Sequence, residues 1–495
     1  EFKYSAIANS FDGQGKELPE NSPFWLPFGY NSSEKNYDTL PDVKLGFSIA
    51  SPVLAMKEGV RNVCITINFK EEIIVDGLTP DKLLEWIQVS YSTQKAWQEI
   101  ELSRISLPLH IKEKVGQDPI ELKSTSIKKN ELQLVFSVDK DLPAIENYNE
   151  DRLKSNLTTL FPVVRFLLKT DSKEGHDFFR RIVKKAIYKI KINVAVFDVK
   201  ELQMESDFGI LNPAKPFMPF TSQPIRGGAF RINYPEVFTK KWSDIAISAN
   251  WMNTPTSFVS HYNAYKKSFL SKISKTNYVD ALLMEEEPLR EANQPTDGVT
   301  PSINDTAKKL IVNESDLIIN SDQDFKATSS LYYKEDWKTK DKNVVLFKKN
   351  NGAFQLNTSF KNTESEIDEN SELKLTLNQS FLHSLYPMLY TLAFTANNDQ
   401  APIPNQPYTP LIESIEMSYA AEEETNLEVL ESDAYETNRI QLHHNDVFGV
   451  YEEHSFLKEQ ARKSSIIAQN TSCYLVPDYC HGGELYIGIK DVEPL

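Results

Sequence analysis

The sequence predicts a mainly β protein with a few short helices, built from β-sandwich-like modules that proline-rich extended connectors join. Three observations support this fold class. Several stretches alternate apolar and polar residues with a period of two, which is typical of half-buried strands. Apolar stripes at helical spacing are few and short. Two segments, 207–224 and 401–410, are rich in proline, which lacks an amide proton and keeps the preceding residue extended.

The totals exclude several classes of protein. A chain of 495 residues divides into two to four domains. The net charge of −16 argues against a nucleic-acid binder, which needs a concentrated basic surface. No apolar run of about 18 residues is present, so the sequence predicts no membrane contact. Three cysteines (Cys64, Cys473 and Cys480) cannot form a closed disulfide framework, which favours a reducing compartment.

The first 206 residues divide into a lead-in and a β-rich domain. Glycine and proline in 1–40 predict an irregular, aromatic-anchored lead-in, and the absence of Met and of a signal peptide suggests that the chain begins inside a longer one. In the first β-rich domain, 41–206, alternation predicts strands over 62–69, 131–138, 161–169 and 188–196. Cys64 falls on the polar face of the first of these. A short helix is predicted at 79–87, with Thr79 as N-cap and Pro80 at its first position.

The Pro/Phe-rich connector, 207–230, is the segment around which the domains are arranged. Because three phenylalanines (Phe208, Phe217 and Phe220) are spaced among its prolines, we expect an ordered connector whose aromatic rings dock onto a neighbouring β-layer. Gly227 and Gly228 then allow the turn into the next strand. We therefore hypothesise that the three rings lock two β-rich halves together.

The second β-rich domain spans 231–420. Alternation predicts strands at 245–251, 325–333 and 373–377, and an acidic insertion without periodicity occupies 285–324. An apolar stripe near 380–394 predicts a helix that Pro387 either kinks or starts anew. A second connector with four prolines, 401–410, then leads into a strand at 415–419.

The C-terminal β segment, 421–495, is expected to be incomplete, because it ends directly after a strand. Its acidic run, 421–433, is predicted to be a solvated edge or hairpin. The lysines in the strand at 188–196 alternate with β-branched residues, so they indicate the solvated face of one strand and not a nucleic-acid site.

No catalytic motif is present. The sequence contains no phosphate-binding glycine loop, no HExxH helix and no GxSxG elbow. One Cys/His constellation deserves comparison with zinc sites, but its cysteines are not spaced as a zinc knuckle. Its members are His443, His444, His454, Cys473, Cys480 and His481. Glu452 and Glu453 are adjacent, so on a strand they point to opposite faces. We predict no enzyme, no metal and no cofactor.

Five blocks, in order along the chain, resemble the baseplate J-like wedge subunit of contractile injection systems, the phage-tail-like particles of the antifeeding-prophage type. The blocks are LGFSIASPVLAMKEGVR (45–61), DFGILNPAKPFMPFTSQP (207–224), LTLNQSFLHSLYP (375–387), PYTPLIESIEMSY (407–419) and ELYIGI (484–489), the last preceded by YLVP. The chain departs from the family at GGAFRIN (227–233), and its insertion at 285–324 is individual.

The resemblance implies a structural role and the central portion of a longer chain. The implied partners are a second J-like wedge subunit, the sheath initiator and the spike hub, in a ring assembled in the bacterial cytoplasm and then released or membrane-anchored. It implies no cofactor and no catalytic residue. The motif residues it marks are Phe208, Gly209, Pro213, Pro216, Phe217, Pro219, Phe220, Pro224, Tyr386, Pro387, Pro407, Tyr408, Pro410, Leu485, Tyr486 and Gly488.

Two alternatives and one further hypothesis remain open. A secreted β-sandwich binding module, such as an adhesin or a carbohydrate binder, would show a ligand-sized groove lined with exposed aromatic rings. An enzyme would need buried acids or histidines converging in a cleft. We also hypothesise that an acidic loop, 285–287 or 422–424, meets a basic patch on a neighbouring subunit.

Overall fold

A computed structural model of the chain describes residues 3–8, 16–17, 45–73, 75–111, 122–153, 155, 157–169, 173–265, 319–364, 366–395, 402–427, 439–446, 449–452, 473–476 and 485–490. Strands predominate in these ranges, every pairing between the strands is antiparallel, and the helices are short. The predicted fold class, mainly β with a few short helices, is therefore confirmed.

The strands, in chain order, are β1 (Lys3–Ala8), β2 (Lys16–Glu17), β3 (Leu45–Ala50), β4 (Val60–Phe69), β5 (Ile87–Ser92), β6 (Trp97–Ile100), β7 (Leu107–Pro108), β8 (Leu122–Lys123), β9 (Ser126–Lys128), β10 (Glu131–Val138), β11 (Val163–Leu168), β12 (Ala186–Val199), β13 (Gln203–Ser206), β14 (Gly209–Leu211), β15 (Ala229–Asn233), β16 (Trp242–Trp251), β17 (Lys326–Tyr333), β18 (Asp336–Val345), β19 (Lys348–Asn350), β20 (Ala353–Lys361), β21 (Glu372–Leu377), β22 (Ile412–Asn426), β23 (Gln441–Asp446), β24 (Gly449–Glu452), β25 (Cys473–Tyr474) and β26 (Leu485–Lys490). The helices are α1 (Pro80–Trp86), α2 (Glu150–Leu153), α3 (Lys173–Ile182), α4 (Pro235–Phe238), α5 (Phe258–His261) and α6 (Tyr386–Thr395), with 3-10 helices at Pro52–Leu54 and Asn263–Tyr265. No helix in the described ranges has the length and apolar content needed to cross a bilayer.

Three large sheets contain most of the described strands. The main sheet has nine strands in the order β19-β20-β16-β22-β12-β4-β10-β9, with β25 also paired to β12. Sheet B has the order β24-β23-β3-β11-β5-β6, and sheet C has the order β14-β13-β15-β21-β17-β18. Buried apolar side chains from all three belong to one contiguous core, such as Ile65 of the main sheet, Phe47 of sheet B and Phe230 of sheet C.

The main sheet runs continuously across the connector. β22 pairs with β12 from residues before the connector and with β16 from residues after it. The boundary predicted at 207–230 thus does not coincide with a break in the sheet, because a strand from late in the chain is hydrogen-bonded between the two predicted halves. Alternation along a strand identifies the strand but not its neighbours, so the sequence alone did not show this closure.

A buried polar cluster fastens α4 to the first sequence block. Lys240, fully buried, donates hydrogen bonds to the carbonyl of Ala55 and, at 2.9 Å, to the hydroxyl of Tyr419. Tyr419 in turn donates to Glu236 Oε1 at 2.6 Å, and the second oxygen of Glu236 accepts from the backbone N–H of Lys57 at 3.0 Å. We call these five residues the Lys240 cluster. It connects α4, β22 and the loop before β4.

Burial sets the electrostatics of this cluster. Removal from water lowers the pKa of Lys240, and the neighbouring carboxylate of Glu236 opposes that change. Burial also raises the pKa of Tyr419, and Glu236 adds to the rise. Each charged group has a hydrogen-bonded partner inside the core. Removing any one member would therefore leave a buried group that is both desolvated and unpaired.

Two expectations about surface positions are wrong. Cys64 is fully buried beside Val135 and Ala195, because both faces of β4 are covered at this position. Residues 421–426 of the acidic run belong to the interior strand β22 and not to an edge, and the run from residue 428 onward lies outside the described residues. Within the described part of the lead-in, β1 pairs with β2 and with β26.

The helix predictions are borne out in part. α1 begins at Pro80 after Thr79, but the Thr79 side chain makes no capping hydrogen bond. α6 begins at Tyr386 with Pro387 in its first turn, so the proline starts a helix and does not kink one. Phe381, Leu382 and Leu385 are buried in the turns before it. Residues 285–318 of the predicted insertion lie outside the described residues.

We predict that Lys240→Met destabilises the protein by about 3–5 kcal/mol, because Glu236 and Tyr419 would lose a buried partner. The shift of the urea unfolding midpoint measures this effect. Lys334→Met, which breaks the exposed pair with Glu366, is the control and should leave the midpoint close to that of wild type. Adding Glu236→Gln to Lys240→Met should recover part of the loss. A wild-type midpoint for Lys240→Met would contradict the prediction.

Candidate protein-binding surface

One half of the Pro/Phe-rich connector is anchored in the core. Phe217 and Phe220 are buried and lie 6.0 Å and 6.2 Å, between ring centroids, from Phe230 of sheet C. The backbone of Phe217 exchanges two hydrogen bonds with Ile412 of the main sheet, at 3.1 Å and 2.9 Å. Pro219 and Pro224 are also buried. The predicted docking of the connector is therefore found for Phe217 and Phe220.

The third phenylalanine is not docked. Phe208 lies in the two-residue turn between β13 and β14, and 85% of its side chain is exposed. Gly209 closes this turn with φ of +129°, a conformation that side chains with a Cβ rarely adopt. Ser206 Oγ accepts a hydrogen bond from the Phe208 N–H, which holds the turn in shape. The expectation that all three rings face a β-layer is thus wrong for Phe208.

Further apolar side chains of the same connector face water. Ile210 is 91% exposed, Ile225 66% and Met218 42%. With Phe208 they form what we call the exposed connector set. The Asp207 carboxylate accepts a hydrogen bond from the Ala229 N–H at 2.8 Å, so the hairpin turn with Phe208 and the turn that follows Ile225 are held together. Large apolar residues concentrated in one rigid segment mark an interaction site more often than single exposed residues do.

Sequence reasoning missed three members of this set, namely Ile210, Met218 and Ile225. A signal was present for the first. Leu202, Met204 and Ser206 alternate with Glu201 and Glu205 before a turn, which is typical of a hairpin whose return strand begins near residue 209. Ile210 pairs opposite Glu205 and therefore shares the polar face of sheet C.

The second connector is more completely buried. Pro404, Pro407 and Pro410 are buried at intervals of three, which matches the three residues per turn of a polyproline II helix. Tyr408 donates to the Met252 carbonyl at 2.8 Å, and its N–H donates to the Tyr262 hydroxyl at 3.0 Å. Burial raises the pKa of Tyr408 to about 12. These contacts fix the entry of the chain into β22.

The two connectors contact each other. Thr409 Oγ1 donates to the carbonyl of Ser222 at 3.2 Å and hydrogen-bonds to His383 at 3.0 Å. The Phe381 N–H donates to the Pro224 carbonyl at 3.3 Å. Parts of the second, third and fourth sequence blocks are thereby in direct contact.

The remaining motif residues are spread over the fold. Pro213 is half-buried and Pro216 exposed in the first connector. Tyr386 is half-buried and Pro387 exposed at the start of α6, where Tyr386, Tyr390 and Phe394 follow one another at ring-centroid distances of 5.7 Å and 6.3 Å. Leu485, Tyr486 and Gly488 lie in β26, opposite Ala8, Ile7 and Ser5 of β1.

The Cys/His constellation is not assembled among the described residues. His443 and His444 are adjacent on β23, and Cys473 is on β25. His454, Cys480 and His481 lie outside the described residues, and the described ones contain no group of three or more potential metal ligands. Burial lowers the pKa of His443 to about 4 and that of His444 to about 3, so both are neutral at pH 7.

The acids at 422–424 are neutralised within the chain. Glu422 pairs with Lys191 and Glu424 with Lys189, both at 2.7 Å, and buried Glu423 lies between Lys241 and Arg439 at 3.0 Å and 2.8 Å. Each of the three acids thus has a basic partner within the chain, and their contact with a basic patch on a neighbour stays a prediction. The interpretation of Lys189 and Lys191 as part of a polar strand face agrees with these pairs. Glu285–Glu287 lie outside the described residues.

Comparison with known proteins adds no assignment. No family model matches the chain, and no curated protein is similar to it.

We predict that Phe217→Ala and Phe220→Ala each destabilise the protein by about 3–5 kcal/mol, because each opens a cavity in the core. Phe208→Ala is the matched control and should leave the thermal midpoint within about 1 °C of wild type, since its ring makes little buried contact. Equal losses from all three substitutions would contradict this division of the connector.

We predict a loss of stability on acidification that depends on His443 and His444. Their pKa values are lower in the folded chain than the ordinary 6.5, so the folded state disfavours their protonation. The stability that comes from keeping both imidazoles neutral is fully present above pH 6.5. It falls as the pH drops from 6.5 towards 4, because the unfolded chain then binds protons that the folded chain does not. Thermal midpoints at pH 7.5, 6.5 and 5.5 measure it.

The control for the acid effect is His443→Phe/His444→Phe. Removing both imidazoles should reduce the fall of the midpoint between pH 6.5 and 5.5, and the remaining fall would come from other groups such as His383, whose pKa burial also lowers. If the variant lost stability over this window as steeply as wild type, the histidines would not be responsible.

Proposed function

We propose that the chain is a structural subunit of a contractile, phage-tail-like injection system, of the baseplate J-like wedge type. The five sequence blocks support the family proposal. The observation that carries the structural role is the exposed connector set, in which Phe208 and Ile210 face water on a segment whose other side is built into the core. Its partners would be a second wedge subunit, the sheath initiator and the spike hub.

The rigid attachment of the exposed connector set is suited to a contact that transmits force. Apolar residues on a flexible loop lose conformational entropy when they bind, whereas residues on a rigid mount lose less. Phe217 is hydrogen-bonded to Ile412, and Asp207 to Ala229, so the exposed side chains project from fixed backbone. A force applied to Phe208 or Ile210 would reach the main sheet and sheet C directly.

The experiment that tests this proposal is co-expression of the full chain with the neighbouring sheath-initiator and spike proteins, followed by purification and imaging of the particle. A ring containing this chain between hub and sheath would support the proposal. A chain that remains monomeric and never enters a particle would refute it.

We predict that Phe208→Ser/Ile210→Ser lowers the affinity for the neighbouring subunit by at least about 100-fold, because two apolar anchors are lost. Pull-down and analytical ultracentrifugation with the purified neighbour measure the change. Leu160→Ser is the matched control. Leu160 is 82% exposed, like the residues of the exposed connector set, but it lies just before β11 and outside the connector. Wild-type affinity in the double variant would show that this surface is not the contact.

A binding module is a second candidate, favoured by the aromatic row on α6. Tyr390 and Phe394 are 41% and 69% exposed with rings only 8° from parallel. Such rings can stack against the apolar face of a sugar. A glycan array probed with the full chain and with Tyr390→Ala/Phe394→Ala discriminates the two functions: glycan binding that the variant loses would favour the binding module.

A further inference from the structure

A polar cleft of about 450 Å³ lies on the outer face of the main sheet. Its lining is dominated by charged and amide side chains, and consists of Thr66, Asn68, Leu122, Lys123, Lys128, Glu131, Gln133, Lys189 and Lys191. Four lysines thus surround one glutamate, in a chain that has 54 basic and 70 acidic residues. With the adjacent Glu422 and Glu424, four ammonium groups face three carboxylates, so the cleft has a small excess of positive charge in an acidic protein.

The floor of the cleft is fixed by strand register. Glu131, Asn68 and Lys189 lie side by side across β10, β4 and β12. Gln133, Thr66 and Lys191 form the next row, and the Gln133 amide lies 3.5 Å from Thr66 Oγ1. Because side chains of neighbouring strands stay in register, these polar groups converge without any rearrangement.

The opposite face of the same strands holds the floor in place. Leu132, Ile67 and Ile190 lie between the two polar rows in sequence, point to the other side of the sheet and are almost fully buried in the core. β8 supplies the wall of the cleft through Leu122 and Lys123. The cleft is therefore a preformed feature of the sheet, of a volume that is typical of small-molecule sites.

Three of the four lysines are held by neighbouring carboxylates. An anionic ligand can take over some of the hydrogen bonds that these carboxylates accept. Lys189 and Lys191 pair with Glu424 and Glu422, both at 2.7 Å, and Lys128 pairs with Glu131 at 2.8 Å. The Glu424 and Glu422 side chains are 44% and 50% exposed, so water can solvate them if a lysine turns towards a ligand. Each ammonium also has three N–H donors, and one carboxylate does not satisfy all of them.

We infer that this cleft binds a small polar ligand that carries a phosphate or carboxylate group. The lysine ammoniums provide charge-assisted hydrogen bonds to the anionic oxygens. Thr66, Asn68 and Gln133 provide neutral donors and acceptors for the hydroxyl or amide groups of the rest of the ligand. The site is open to water, so its affinity should be modest and should fall as salt concentration rises.

The test is calorimetric titration of the full chain with inorganic phosphate, pyrophosphate and citrate at constant ionic strength. Saturable binding of at least one anion is expected below about 10 mM. A preference for pyrophosphate would identify phosphate chemistry, and a preference for citrate would identify carboxylate chemistry. Absence of saturable binding by all three would overturn the inference.

Variants that each remove two lysines distinguish binding in the cleft from non-specific attraction of anions to the protein surface. Lys123→Gln/Lys128→Gln and Lys189→Gln/Lys191→Gln should each weaken binding by about tenfold or more. Lys348→Gln/Lys349→Gln removes the same charge from β19, at the far edge of the main sheet, and should leave binding unchanged. Equal weakening in all three, or none in either cleft pair, would overturn the inference.

A third variant covers the case in which a lysine pair is needed for folding. Thr66→Val keeps the shape of the floor and every charge, but it removes one hydroxyl from the site. It should weaken binding severalfold with an unchanged thermal midpoint in the absence of ligand. Unchanged binding in Thr66→Val together with unfolded lysine variants would count against the cleft.

Discussion

The pairing of β22 with β12 on one side and β16 on the other is the constraint on which the rest of the structure depends. These are long strands, and the residues that they pair lie from 161 positions apart, for Trp251 and Ile412, to 237 positions apart, for Lys189 and Asn426. The position of β22 requires that the chain entering it be fixed as well. The backbone hydrogen bonds between Phe217 and Ile412 and the buried ring of Tyr408 fix this entering segment. The proline connectors are thus part of the sheet's assembly and not spacers between independent bodies.

The Lys240 cluster specifies the register of β22, because apolar packing alone would allow the strand to pair in a shifted register. Its hydrogen bonds require Tyr419, Glu236 and the Ala55 carbonyl to meet at one point, so a shift of β22 by one residue would move Tyr419 to the other face of the sheet. Replacement of buried ion pairs by apolar residues is often neutral for stability, so their contribution here is best understood as fixing register.

The sequence predicted the local structure better than the connections between its parts. Period-two alternation identified β4, β10, β12 and β16 because each buries at least one face. It did not reveal that both faces of β4 are covered at Cys64, because a cysteine among polar neighbours gives no apolar signature. For the candidate surface, the proline pattern identified the right segment, but it did not separate Phe208, which lies at the hairpin turn between β13 and β14, from the buried Phe217.

The central position of β22 also bears on how the protein is made. Synthesis reaches β12 and β16 long before residue 412, so during translation each presents an open row of backbone donors and acceptors along one side. Such nascent sheet edges invite pairing with other chains until the missing strand emerges from the ribosome. Productive yield should therefore depend on translation speed and on chaperones that shield these edges, more than on the final stability of the fold.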